Sequence, residues 1–477
     1  MVIEKTKTAV LWSMVDAIIR QGGNFCISII LAHLLMPSDF GTLALLSIFF
    51  GVAAGLADAG FSEALVQKKN INIIEESTIF WFNCGFGALC SVILWSLSTV
   101  ISEFYRSPIL VSLTEIMAIN IFIVSSSSVQ NALLRKKMDF RRLTIINITS
   151  MIISSSVAVA MAWNDFGVWA LVGKTLTSSI VTSTMLGALT GWRPEWQFSF
   201  NALRSLFGFG GYIFASSLLH NIFINSYSVV IGRFFPVANL GYYQLANGLS
   251  DSLSSLLNSV VSRVSFPLLS NMANDAIDVR RSAGIILRGT MLIHMPAMVG
   301  LSLIADNLVL TLYGEKWLFA IPYLQILAIA GLFLPINSIN LIVLLSFGNA
   351  KKYFYLEILK KCNGIFCLLF GAFYWGVLGV AWATLILNII NAFIDSYFTK
   401  KLIGYGLIDQ INDILPIAFI CSLMALVVHF VETIITTHPD FTLFLQVIIG
   451  ITCYFLLLIY FNLNAYAETL KLAKSQK

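Results

Sequence analysis

Asp16 and Arg20 stand four residues apart inside a long apolar run, which puts a carboxylate and a guanidinium on one face of a helix. At a rise of about 1.5 Å per residue, Arg20 lies roughly 18 Å into that run, mid-bilayer if the run crosses one. A charge at that depth costs at least about 2.5–3.5 kcal/mol and is a functional candidate by default. The guanidinium can serve phosphate or carboxylate oxygens with charge and several donors together, or Asp16 can simply neutralise it. Gln21, Asn24 and Ser28 extend a polar stripe beside the pair. The same reasoning selects Lys174, Arg263, Lys360 and Lys361 as cations for anionic oxygens, with His220 as a sixth cavity candidate or a structural histidine. Arg263, Lys360 and Lys361 can alternatively anchor or snorkel at the interface, the two lysines beside Glu357. Asp58, Glu115, Asp251 and Asp395 are the carboxylates placed to bind a coupling ion. Ser250, Ser252, Ser254 and Ser255 around Asp251 suit either a wet cavity or close helix packing.

These charges must be positioned by the apolar runs that contain them. The chain has 477 residues, 58% hydrophobic and only 11% charged, against roughly 25% charged in soluble domains. That excludes a soluble enzyme, a nucleic-acid binder and a disordered chain. Apolar windows fall at 8–34, 40–65, 77–100, 108–131, 143–163, 166–190, 206–231, 239–264, 285–307, 319–347, 353–374, 376–398, 414–432 and 441–463. Each approaches the roughly 20 residues a membrane helix needs. The expected fold is an all-α integral membrane protein with about 14 transmembrane helices. The first run lacks a small-residue cleavage site and reads as a span that stays. Basic residues collect in alternate connections, at Lys68–Lys69, Arg135 to Arg142, Arg193 and Arg204, Arg280 to Arg288, Lys351–Lys352 and Lys400–Lys401. The other connections hold Arg106, Arg233 and Lys316, so both termini are expected on the cytoplasmic side. All connections are short, which leaves function to the spans and their ends. The seven cysteines form no C-x-x-C pair, so no metal or redox site is expected. Gly167 to Gly173-Lys174-Thr175 mimics a phosphate-binding loop but has five intervening residues instead of four.

The corner Leu35-Met36-Pro37-Ser38-Asp39-Phe40-Gly41 returns 200 positions later as Phe235-Pro236-Val237-Ala238-Asn239-Leu240-Gly241, with Arg20 aligned on His220. The offset holds six spans, so the copies read as two six-helix lobes, 1–200 and 201–405, around a central cavity. Residues 406–477 then hold two C-terminal helices and a tail. Paired lobes suit alternating access.

Several span ends resemble the bacterial polysaccharide flippases of the MOP exporter superfamily. The resemblance rests on Leu34-Leu35-Met36-Pro37-Ser38-Asp39-Phe40-Gly41, Asp58 to Gln67, Leu134 to Phe140, Gly167 to Val172, Leu240-Gly241-Tyr242-Tyr243, Phe266-Pro267-Leu268-Leu269 and Tyr313-Gly314-Glu315-Lys316-Trp317. It departs at His33, where the family often carries arginine. The resemblance, closest to the lipopolysaccharide, O-antigen and colanic-acid branch, implies a bacterial inner-membrane protein. It would flip an undecaprenyl-pyrophosphate-linked oligosaccharide to the periplasmic leaflet. No catalytic residue, cofactor or nucleic acid is expected, and a proton or sodium gradient is the expected driving force. Expected partners are the lipid-linked substrate, membrane lipids, and polymerase and chain-length proteins around a monomer. The alternatives are a cation-coupled drug or solute antiporter of the same superfamily, or a membrane polymerase or glycosyltransferase.

Overall fold

The computed structural model describes residues 2–58, 61–68, 71–204, 218–219, 221–272, 275–348, 350–434 and 438–461. Among them every regular element is helical. Among the described residues ten segments are long and apolar enough to cross a membrane, fewer than the fourteen windows, and two of the differences have local causes. The segment Tyr353–Ile403 is one continuous run, yet Gly376 sits at φ 64° and ψ −150° and breaks it into two helices. Their backbones touch: a Cβ on Gly371 would strike the Gly379 carbonyl, and one on Gly379 the Gly371 carbonyl. Val168–Thr190 has a spanning helix's length, but its serines, threonines and Lys174 keep it below the apolarity of the ten. The window 206–231 falls largely outside the described residues.

The chain divides into two compact units, residues 1–241 and 242–477. The first contains α1 (Val2–Leu34), α2 (Pro37–Leu45), α3 (Ser47–Asp58), α4 (Phe61–Gln67), α5 (Ile73–Ser96), α6 (Ser98–Tyr105), α7 (Ile109–Lys136), α8 (Phe140–Trp163), α9 (Val168–Thr190) and α10 (Ser226–Phe234). Here α8 packs on α9 and α1, and α7 on α5 and α9. The corner before α2 follows from its residue types. Pro37 opens the helix, where its missing N–H costs nothing. Asp39 reaches back to accept the Met36 N–H at 2.9 Å, as a third-position carboxylate does in a capping box. Gly41 is required by its neighbour, since a Cβ there would strike the Val237 carbonyl. Reciprocally, a Cβ on Gly241 would strike the Pro37 carbonyl. The repeated corners therefore meet each other reciprocally, the glycine of each against the opening residue of the other's helix.

The second unit contains most of α11 (Val237–Asn271), then α12 (Ala276–Leu303), α13 (Ala305–Tyr313), α14 (Ile321–Gly331), α15 (Leu334–Ser346), α16 (Ala350–Ile403), α17 (Leu407–Ile434) and α18 (Pro439–Tyr460). Prolines shape its interior, because each removes the N–H that would bond the carbonyl four residues earlier. Pro296 lies within α12, and the Leu292 carbonyl it leaves open accepts the Tyr454 hydroxyl of α18 at 2.6 Å. Pro335 opens α15, and the Gly331 carbonyl takes its hydrogen from His294 Nε2 at 2.9 Å. Asn388 Nδ2 donates to the adjacent Ala330 carbonyl at 3.0 Å. Lipid offers no substitute donor, so neighbouring helices supply them. Tyr454→Phe keeps the ring and strands one carbonyl. It should cost about 1–3 kcal/mol, read as a lowered melting midpoint of the detergent-purified protein; an unchanged midpoint would show the bond contributes nothing.

Candidate functional site

In the first unit the structure loosens the pair expected on α1. Arg20 Nε lies 4.0 Å from Asp16 Oδ2, and the Arg20 side chain is 60% exposed. Asp16 is held more closely from α8, where Asn147 Nδ2 donates to its other oxygen, Oδ1, at 2.9 Å. A four-residue spacing makes such a pair available, and a neighbouring amide shares the carboxylate through its second oxygen. Arg20 is thus a cation with one weak local partner. Lys174 is half-buried on α9, and Glu115 half-buried on α7. Neither takes part in an ion pair among the described residues. His220 lies outside the described residues, as do the side chains of Asp58 and Arg263.

In the second unit two of the four serines expected around Asp251 turn away from it, while Ser255, one turn on, is exposed as Asp251 is. Asp251 is exposed and accepts Asn247 Nδ2 at 2.8 Å. Ser250 and Ser254 are buried, and Ser250 donates to the Leu327 carbonyl at 3.1 Å. Successive helix positions point about 100° apart, so these serines serve the packed face while Asp251 leaves on another.

Lys360, Lys361 and Asp395 are brought together. The Lys360 ammonium, on a side chain only 7% exposed, lies 2.6 Å from Glu357 Oε1 and 3.1 Å from Asp395 Oδ2. Lys361 Nζ lies 3.4 Å from Glu357 Oε2. The four residues are two cations and two carboxylates joined edge to edge. Lys360 and Glu357 meet because they are one helical turn apart. Asp395 arrives only because Gly376 folds α16 back on itself. The arrangement is charge-balanced, and one added proton or one withdrawn partner leaves it with net charge.

A second ionic patch joins α12 to α17. Arg288 Nη1 lies 2.8 Å from Asp413 Oδ1, and the Tyr405 hydroxyl donates to Asp413 Oδ2 at 2.6 Å. Burial, reinforced by the Asp413 carboxylate, pushes the Tyr405 hydroxyl's pKa up and keeps it a donor. Arg280 pairs with Asp409 at 3.3 Å. Arg280 and Arg288 are basic residues of a connection by sequence; their pairing partners are more than 120 residues away, beyond any local signal.

The second unit also encloses an apolar cleft of about 870 Å³ between α12, α17 and α18. Ile293, Pro296, Met424, Ile451, Tyr454 and Phe455 contribute to its wall. Hydrocarbon walls of this extent accept a chain or ring system and offer almost nothing to a solvated ion.

The family model described as "Polysaccharide biosynthesis protein" matches residues 30–322. The chain is similar to the lipopolysaccharide biosynthesis protein WzxC of Escherichia coli (strain K12), 26% identical over 90% of this chain and 87% of that one. It is also similar to the teichuronic acid biosynthesis protein TuaB of Bacillus subtilis (strain 168), 28% identical over 86% of each. Among solved structures, the lipid II flippase MurJ in an inward closed conformation shares the fold with a TM-score of 0.76. That match has 17% identity and covers 96% of this chain and 98% of that one.

Proposed function

The chain belongs to the polysaccharide biosynthesis protein family, and from that premise we propose that it is a flippase for a lipid-linked oligosaccharide. The observation that carries the reading is the end-to-end similarity to relatives named for surface-polysaccharide synthesis, on a fold shared with a lipid flippase. The geometry supports it. A glycan carried on a prenyl chain needs apolar room for the chain and polar groups for the head. The second unit offers the apolar cleft, and Arg20 and Lys174 of the first unit are cations with little or no local neutralisation. The reading places the protein in the bacterial inner membrane, with both termini cytoplasmic and the substrate moving to the periplasmic leaflet. A proton or sodium gradient drives it, with Asp395 and Asp251 as the coupling carboxylates. The polysaccharide names of the relatives favour this cargo over drugs or small solutes, and the flippase fold favours transport over polymerisation.

Reconstitution tests the proposal. Purified protein in liposomes should move a polyprenyl-pyrophosphate-linked glycan between leaflets, read by its accessibility to an added hydrolase, with its bonds unchanged by mass spectrometry. A lengthened or cleaved glycan, produced by this protein alone, would overturn transport as the main activity.

A further inference from the structure

Between α3, α4, α7 and α9 the first unit forms a half-open cavity of about 360 Å³ that no assignment above uses. Its wall is rich in hydroxyls and amides: Ser127, Ser128 and Asn131 come from α7, and Ser179 and Thr182 from α9. Arg135, one turn beyond Asn131, is the one charged residue of the lining. The contributing positions on α7 and on α9 recur every three or four residues, so each helix presents one polar face to the space.

Some of that polarity is already committed. Ser127 donates to the Val124 carbonyl at 3.1 Å. Ser128 donates to the Ser125 carbonyl at 3.0 Å and accepts Asn83 Nδ2 at 2.8 Å. Thr182 donates to Ser150 Oγ at 2.9 Å. The Asn131 amide and the Ser179 hydroxyl differ: both line the cavity, and neither bonds any described group.

Small hydroxyl residues often serve only to bring helices together. The same unit shows that use at Gly87, where a Cβ would collide with Ser125. Around Asn131 and Ser179 the helices instead stand apart and leave a space. An amide that bonds nothing in a helix bundle is costly unless water or a ligand completes it. The volume lies at the lower end of the roughly 300–1,000 Å³ of small-molecule sites, room for one ring and not for a chain. Hydroxyl, carboxamide and guanidinium groups around one ring-sized space match the alternating donors and acceptors of a sugar.

We propose that this cavity seats one sugar ring of the transported glycan, with Asn131 and Ser179 bonding its hydroxyls and Arg135 adding donors. The proposal rests on the flippase reading and names where the head group is recognised. The test uses the polyprenyl-pyrophosphate-linked glycan extracted from the producing cells, with translocation in proteoliposomes measured against substrate concentration. Asn131→Ala/Ser179→Ala should raise the half-saturating concentration about tenfold, the size of two lost hydrogen bonds, and leave the maximal rate near that of the parent protein. Ser179→Phe, which fills the space, should raise it further. A purely structural role would lower the maximal rate and leave half-saturation unchanged, and that result overturns the proposal. Should the double variant accumulate poorly, Asn131→Ser and Ser179→Ala alone carry the same test at smaller size. Failure of the parent protein to move the glycan at all would refute the flippase reading, and the cavity's role with it; normal half-saturation in the variants refutes the cavity alone.

Discussion

Lys360→Met is expected to remove most of the protein from the membrane fraction. Asp395 is 3% exposed, and the one side chain that bonds its carboxylate among the described residues is Lys360. Breaking a buried pair by deleting one partner costs about 3–5 kcal/mol, because the remaining charge loses its compensation, and that is a large share of the 5–15 kcal/mol that holds a protein folded. Glu357 suffers less, since Lys361 still faces it at 3.4 Å. Lys360→Met/Asp395→Leu removes both charges together and leaves the Glu357–Lys361 pair balanced. Its accumulation should return to near that of the parent protein, while translocation stays lost under the coupling role proposed for Asp395. Immunoblotting of membranes and proteoliposome flipping separate the two effects. A double variant that accumulates and translocates normally would reduce the tetrad to packing.

Gly41→Ala and Gly241→Ala should each destabilise by about 1–3 kcal/mol or more, the range for forcing a methyl into a closed contact. The obstacles are backbone carbonyls, of Val237 and Pro37, which cannot rotate away as a side chain would. Both clashes sit in one reciprocal contact, so a single backbone shift relieves both. The double variant should therefore cost less than the sum of the singles. Gly85→Ala is the control, since a Cβ there meets nothing within 4 Å. Thermal melting in detergent reads the difference; a Gly41→Ala midpoint equal to that of Gly85→Ala would show that the corner yields without strain.

These two sites also show how far the sequence reaches. Low charge, long apolar runs and alternating basic connections settle a helical membrane protein before any coordinates, because lipid leaves a chain few ways to bond its backbone. The corner from Pro37 to Gly41 is legible as a helix start from its proline and aspartate. Its copy near Gly241 is legible as a repeat, and the Lys360–Glu357 contact follows from helical spacing. Which spans fall short of a simple apolarity measure was less readable, since serine- and threonine-rich helices such as Val168–Thr190 bury their hydroxyls against their own carbonyls or their neighbours.

What only the tertiary structure decided is which groups meet. Asp16 and Arg20 have the spacing of a salt bridge and meet at 4.0 Å, yet the shorter bond to the carboxylate comes from Asn147, more than a hundred residues on. Lys360 and Asp395 carry no mutual signal across 35 residues, and Gly376 joins them by reversing the chain. Ser250 and Ser254 turned to a packed face while Asp251 between them did not. His294, which no motif in the sequence marks, is fully buried and serves the carbonyl that Pro335 leaves open. Helical periodicity extends about four residues and determines which side chains share a face. The partner of that face is chosen by how helices distant in sequence pack, through close glycines, proline-freed carbonyls and competing amides.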